Sequence, residues 1–191
     1  MDLVEIELVR QAKQKNIAAF EQLFSRYQKR IYNFILRMIQ NQDDSAELTQ
    51  DTFIRAYHSL KTLKTDKAFN SWLHRIAINL VRDKLRKFEP IIESIDEPDV
   101  YVNGTEFTFD VPDWSTNPRE TTLQQELQKK IQTAIASLPK EQREVVILYH
   151  IEGLGISEIS EMLEIPSGTI KSRLARAREI LRIKLKNYVI S

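Results

Sequence analysis

One stretch constrains this chain more than any other feature. Residues 89–118 hold four of the six prolines (Pro90, Pro98, Pro112 and Pro118) and eight acids, with no Lys or Arg. Proline disfavours helix at the residue before it and has no N–H to give a sheet, so one continuous fold does not run through this stretch. The 191 residues are therefore expected to form two small units, 1–88 and 119–191, joined by an acidic, proline-containing linker, 89–118. Charge divides along the same lines. Residues 1–88 hold 16 basic and 10 acidic residues, net +6; the linker nets −8; residues 119–191 hold 12 and 9, net +3. The overall +1 would by itself argue against a nucleic-acid partner, yet it is the sum of two basic units and an acidic tether. The tether also carries Ile91, Ile92, Tyr101, Phe107, Phe109 and Trp114, more apolar anchors than a solvated spacer needs, and reads as a strap that docks.

Both flanking units read as helical, and the expected fold class is all-α. Phe20, Leu23/Phe24, Tyr27, Ile31, Phe34/Ile35 and Met38 recur at steps of three and four, one face of a helix. Asp44 and Glu47 have the spacing of a capping box, opening a second helix with Ala46, Thr49/Gln50, Phe53, Tyr57 and Leu60 inward. A third begins near Ala68 and buries Phe69, Leu73, Ile76, Ala77 and Leu80. In the second unit helices are expected at about 119–137, 140–152, 156–164 and 168–187, punctuated by Pro139, Gly153/Gly155 and Pro166-Ser167-Gly168. Period-two alternation is nowhere sustained, so any strand is confined to the linker.

Several classes drop out. With no cysteine, disulfides and thiolate metal sites are excluded and a reducing, cytoplasmic home is implied. The acids at Asp2 and Glu5 do not suit a signal peptide, and no apolar run is long enough to span a bilayer. His58, His74 and His150 are scattered without metal-ligand pairing and read as surface or partly packed residues. There is no glycine loop for a phosphate and no nucleophile beside a base, so no enzyme, cofactor, metal or small-molecule substrate is expected.

The segment from Gly153 to Leu181 has the layout of a helix-turn-helix: a short helix with Ile156, Ile159, Met162 and Leu163 inward, a tight turn, then a longer basic helix. On the second helix Ile170, Leu174, Ala177 and Leu181 form a narrow apolar stripe, leaving Lys171, Ser172, Ala175 and Arg176 on the opposite side and Arg173 and Arg178 toward its edges. From Pro166 onward seven Lys/Arg face one acid, a net +6 on one element. That is the footprint of a helix entering a major groove, where Arg or Lys pairs with guanine and small side chains touch a thymine methyl.

LPKEQREVVILYHIEGL followed by ISEISEMLEIPSGTIKSRLARARE resembles the −35-reading domain of bacterial extracytoplasmic-function sigma factors. The resemblance implies Ser167, Thr169, Lys171, Ser172, Ala175 and Arg176 as base readers, with Arg173 and Arg178 on phosphates. Gly155 departs from the family, which often has Ser or Thr there; the missing hydroxyl should weaken the helix start unless Ser157 takes over.

In the N-terminal unit, Glu47, Asp51 and Arg55 lie four residues apart, the spacing of an ion-pair ladder. The surrounding DDSAELTQDTFIRAY is similar to the family's helix that docks on the clamp helices of core RNA polymerase, which implies Asp44, Glu47, Gln50, Asp51, Phe53 and Arg55 as core-binding residues. The family often has Glu at the positions of Ala46 and Asp51. Farther on, Arg75, Asn79, Arg82 and Arg86 form one polar stripe, a basic rail with an amide able to bond a base edge. A Lys-bearing loop precedes it, suited to holding an unstacked base beside aromatic neighbours. FNSWLHRIAIN resembles the family's −10 region. This implies −10 contacts from Lys61, Lys64, Thr65, Lys67, Phe69, Asn70 and Trp72, with the loop Leu63–Ala68 capturing an extruded non-template base while Asn79 and its basic neighbours Arg75, Arg82 and Arg86 handle the upstream edge.

The implied protein is an alternative sigma factor that binds core RNA polymerase, reads −35 and −10 promoter elements and melts the latter. Its linker threads toward the polymerase cleft, and an anti-sigma factor, in this family often membrane-anchored, keeps it silent. The acidic tether is also expected to fold back on the basic units when polymerase is absent. A stand-alone helix-turn-helix regulator and a helical protein-interaction adaptor are the alternatives.

Overall fold

The computed structural model describes residues 3–88 and 122–189. The linker, with the docking of its aromatic anchors and its folding back, lies outside the described residues. Among those described the fold is all-α. The N-terminal unit comprises α1 (Leu3–Lys13), α2 (Ile17–Ile39), α3 (Gln42–Ser59), 3-10 turns at Leu60–Thr62 and Asp66–Ala68, and α4 (Phe69–Phe88). The C-terminal unit comprises α5 (Thr122–Ala136), α6 (Lys140–Val146) running into a π-helical turn (Ile147–Ile151), α7 (Ile156–Leu163) and α8 (Ser167–Val189).

Helix α2 is the spine of the first unit. The Asn16 side chain caps it by accepting from the Ala19 N–H at 3.2 Å. Leu23, Tyr27, Ile31, Phe34, Ile35 and Met38 are buried on its inner face as the periodicity predicts, and the left-handed Gln40 ends it. Edge-to-face ring pairs tie it to its neighbours: Phe24 on Phe53, Tyr27 on Phe69, and Phe34 on His74 at 5.0 Å. Helix α1 was not expected from the sequence. It buries Leu8, Val9 and Ala12, and its Glu5 receives the Tyr27 hydroxyl. Burial and the neighbouring Glu5 carboxylate push that phenol far above its ordinary value.

Four local expectations are corrected. Helix α3 opens at Asn41, whose side chain accepts from the Asp44 N–H at 2.9 Å, and not through a capping box at Asp44. Its buried face is Ser45, Leu48, Thr49, Thr52, Phe53 and Ala56, while Ala46, Gln50 and Tyr57 are exposed. Two of its hydroxyls stay inside by donating one turn back, Thr49 to the Ser45 carbonyl and Thr52 to the Leu48 carbonyl, each at 2.6 Å. On α4 the buried arc is wider than expected: His74, Ile78 and Val81 join Leu73, Ala77 and Leu80, and His74 has no exposed surface. The reason is that the C-terminal unit covers that flank. Finally, Phe53 and Phe69 are core residues, 4% and 0% exposed, as their apolar spacing predicts; the contacts to polymerase and DNA that the resemblance implied for their rings are what the structure corrects.

In the second unit Pro139 precedes α6, Gly153 turns the chain at φ +70°, and Glu164, left-handed at φ 58°, closes α7. The helix-turn-helix is tightened by the Ser160 hydroxyl donating to the Ile165 carbonyl at 2.6 Å. At Gly155 the absent hydroxyl is offset by Glu158, and not by Ser157: its carboxylate accepts from the Gly155 N–H at 2.8 Å, satisfying one donor at the helix start. Ile170, Leu174 and Ala177 are buried beneath α8 as predicted.

Because Phe69 carries core packing, Phe69→Ala is expected to destabilise the N-terminal unit by about 3–5 kcal/mol in urea unfolding. A variant of native stability would contradict this placement.

Candidate nucleic-acid interface

The residues with a role suggested by the sequence fall on three surfaces. On α8, Lys171, Ser172, Ala175, Arg176 and Arg178 are exposed, together with Ser167 at its first turn, while Thr169 and Arg173 are half-buried. Pro166 starts the helix without leaving a donor unpaired, and its carbonyl accepts from Thr169 and Ile170. The Ser172 hydroxyl donates back to the Thr169 carbonyl at 2.9 Å, leaving its lone pairs outward. The outcome is a rigid basic face with small side chains between the cations.

The second surface is the outer face of α3. Glu47, Gln50 and Arg55 are exposed and Asp44 and Asp51 half-buried. Ile54, which sequence reasoning passed over, stands among them 56% exposed, in register four after Gln50 and three after Asp51. Two of the acids also serve the fold, for Lys84 of α4 reaches Asp44 at 2.6 Å and Glu47 at 3.3 Å. The two carboxylates raise the Lys84 pKa.

The third surface is α4 with the turns before it. Lys61, Lys64, Thr65 and Lys67 are exposed on the loop, and α1 braces the loop from behind through Lys13 to Asp66 at 2.6 Å. Trp72 is half-buried, its ring 6.0 Å from that of Phe69. The half-buried Asn70 keeps its Oδ1 buried with no hydrogen-bond partner among the described residues. Arg75, Asn79 and Arg86 are exposed and Arg82 half-buried along one line. Arg86 pairs within its own helix, to Asp83 at 2.8 Å.

The cations of this third surface meet acids from the C-terminal unit, an arrangement with no counterpart in the sequence reading. The Arg82 guanidinium makes a two-point contact with Glu144 of α6, Nε to Oε1 at 2.8 Å and the second nitrogen to Oε2 at 2.9 Å. Arg75 reaches Glu164 at 3.3 Å. Between them Glu152, 4% exposed, receives Arg30 of α2 at 2.7 Å and His74 of α4 at 3.1 Å on the same oxygen. Arg37 stands 3.9 Å from its other oxygen. Arg30 also donates to the Glu152 backbone carbonyl at 2.6 Å. Burial pushes the Glu152 carboxyl up, but His74 and Arg30 outweigh it and hold the group below its ordinary value. Burial alone lowers the Arg37 pKa, with Glu152 working against it. The His74 Nδ1–H donates to the Asn70 carbonyl, 2.8 Å away, which orients the ring. Beside this junction lies a cleft of about 380 Å³ lined by Arg26, Lys29, Arg30, Asn33, Arg37, Ile151 and Glu152.

Among the described residues no cluster of His, Asp or Glu has the arrangement of a metal site, and no helix is long and apolar enough to cross a membrane.

Two family models match the chain: "Sigma-70 region 2" over residues 23–89 and "Sigma-70, region 4" over residues 128–181. The ECF RNA polymerase sigma factor SigW of Bacillus subtilis (strain 168) is 34% identical over 191 residues, covering 98% of this chain and 100% of that protein. The ECF RNA polymerase sigma-E factor of Escherichia coli (strain K12) is 32% identical over 188 residues, 98% of this chain and 96% of its own. Among solved structures, CnrH in complex with the cytosolic domain of CnrY has a similar fold, with a TM-score of 0.66 and 24% identity over 96% of this chain and 98% of that one. The sigma factor RpoE of Bartonella quintana, in complex with the anti-sigma factor NepR, gives a TM-score of 0.63 and 22% identity over 87% and 96%.

Proposed function

This chain belongs to the extracytoplasmic-function sigma factors of the sigma-70 family and is an alternative sigma factor of transcription initiation; from that premise we propose which of its residues do the work. Residues 1–88 bind core RNA polymerase and melt the −10 element, residues 119–191 read the −35 element, and the acidic linker 89–118 follows the path of a polyanion through the polymerase. The protein supplies specificity and catalyses no reaction of its own. It works in the cytoplasm, where an anti-sigma factor holds it silent, at the membrane if that partner is anchored there.

The observation that carries the reading is the outer face of α8, which presents Lys171, Ser172, Ala175 and Arg176 together, above the buried stripe of Ile170, Leu174 and Ala177. A groove-reading helix needs such a division: one face committed to its own domain, the other carrying donors and methyl-sized groups. The N-terminal assignments are supported by the exposed Glu47, Gln50 and Ile54 and the half-buried Asp51 on α3, an apolar side chain ringed by polar ones, as partner-binding surfaces are built. Lys61, Lys64, Thr65 and Lys67 on the braced loop and Asn79 on α4 suit a displaced single strand, since cations follow its backbone and the amide can bond a base edge.

Transcription from a promoter library with purified core polymerase tests the whole reading, and promoter-independent output alone would defeat it. In that assay Arg176→Ala is expected to cost roughly 1–3 kcal/mol at one −35 base pair and relax specificity there. An even loss on all sequences would make Arg176 a phosphate contact instead. Asn79→Ala should slow promoter opening, followed by permanganate reactivity of unpaired thymines, while its affinity for core polymerase stays native. Weakened core binding would move Asn79 to the other surface.

A further inference from the structure

The geometry points to a self-masking contact: the carboxylates of Glu144, Glu152 and Glu164 occupy phosphate sites on the N-terminal unit, and Arg30 and Arg37 of α2 belong to that phosphate-binding surface. The functional half of this inference rests on the −10 assignment of α4; the closed contact itself does not.

The contact engages the basic rail directly. Of the cations assigned to the −10 face, Arg82 has two of its guanidinium nitrogens committed to Glu144 and Arg75 is paired with Glu164. A guanidinium fork holds a carboxylate or a phosphate through the same two-point geometry, so the two ligands exclude each other at Arg82. Glu152 extends the mimicry to α2, which sequence reasoning used only for its apolar face. One oxygen of Glu152 is shared by Arg30 and His74, so the Arg30 guanidinium and the α4 ring converge on one anion. Arg37 faces the other oxygen at 3.9 Å. When the units separate, Arg30, Arg37 and Arg82 lose their carboxylates together, leaving cations on two adjacent helices facing one way. A strand of nucleic acid supplies the replacement anions at closely spaced intervals. The masking is one-sided: Lys171, Ser172, Ala175 and Arg176 on α8 stay exposed in the closed form. The closed chain therefore keeps its duplex-reading helix available and withholds its single-strand surface.

Closure is measured first, on the free full-length chain without polymerase or DNA. The sequence has no cysteine, so spin labels at Glu21→Cys and Ser157→Cys, both exposed, report the distance between the units. A single narrow distance is expected for the native pairings, and a longer, broader distribution for Arg82→Ala and for Glu144→Arg. The charge swap R82E/E144R should bring the narrow distance back; since neither single change does so, its recovery also shows that the domains remain folded. Equal distances in all four chains would overturn the contact.

The phosphate surface is measured by binding of a fluorescein-labelled, mixed-sequence 15-nucleotide single-stranded DNA at low ionic strength. E144Q/E152Q should bind at least tenfold tighter than the native chain, whereas the charge-matched E126Q/E161Q, altered at exposed sites, should gain no more than about threefold. Adding Arg30→Ala and Arg37→Ala to the opened chain should reverse the gain and flatten the slope of log affinity against log salt by about 1.4, the release expected for two phosphates on a single strand. An equal gain in the two Gln pairs, or an unchanged slope, would overturn the masking. Loss of promoter-dependent transcription in the native protein would defeat the sigma-factor roles while leaving both measurements standing.

Discussion

The relation between the two halves of this molecule depends on one buried carboxylate. Glu152 is nearly inaccessible to water, and a charge so placed is tolerated only when paired and hydrogen-bonded. Its partners come from the other unit: Arg30 from α2 and His74 from α4, with Arg37 at longer range. Take the N-terminal unit away and Glu152 regains water; take Glu152 away and His74, fully buried, loses the acceptor at its Nε2. Neither half has its observed polar satisfaction alone. Glu144 repeats the arrangement one helix earlier, with Arg82 as its fork.

This junction differs in kind from the cores on either side. Within each unit the apolar stripes of α2, α4 and α8 are committed to one another, and the free energy lost by exposing Phe34, Phe69 or Ile170 keeps them there. Between the units apolar side chains also meet, but the polar part of the contact is charge pairs, and a charge pair trades its partner for water or for another anion at far smaller cost. Stable domains with an exchangeable joint are what a protein needs when its two recognition surfaces must meet one partner at two separated places. The exposed α8 face and the covered α4 face then follow from where the acids lie, on α6, after the π turn and at the end of α7.

The elements were legible wherever apolar spacing was strong. The stripes of α2 and α8 and the proline and glycine punctuation of the second unit predicted their helices to within three residues, because periodic burial is a local property of a helix. Helix α1 was not legible, since it buries only Leu8, Val9 and Ala12 amid charged residues. The start of α3 was misread because Asn41 and Asp44 are both capping residues, and only the fold shows Asn41 taking the role while Asp44 pairs with Lys84 of α4. Phe53 and Phe69 were placed inward by their spacing yet assigned to partners by the motifs in which they sit. The spacing was the better guide, for their rings close edge-to-face contacts with Phe24 and Tyr27, residues far apart from them in the chain.

By itself the sequence determined the helical class, the division of charge into two basic stretches around an acidic one, and the composition of the exposed basic face of α8, because each follows from spacing along one element or from counting charge. The fate of the polar residues was decided only by the tertiary structure. His74, Glu144 and Glu152 carry no local mark that separates them from surface residues; they are buried because a second unit lies over them. Burial of a polar group depends on what covers it, and what covers these residues lies 62 to 122 positions away in the chain.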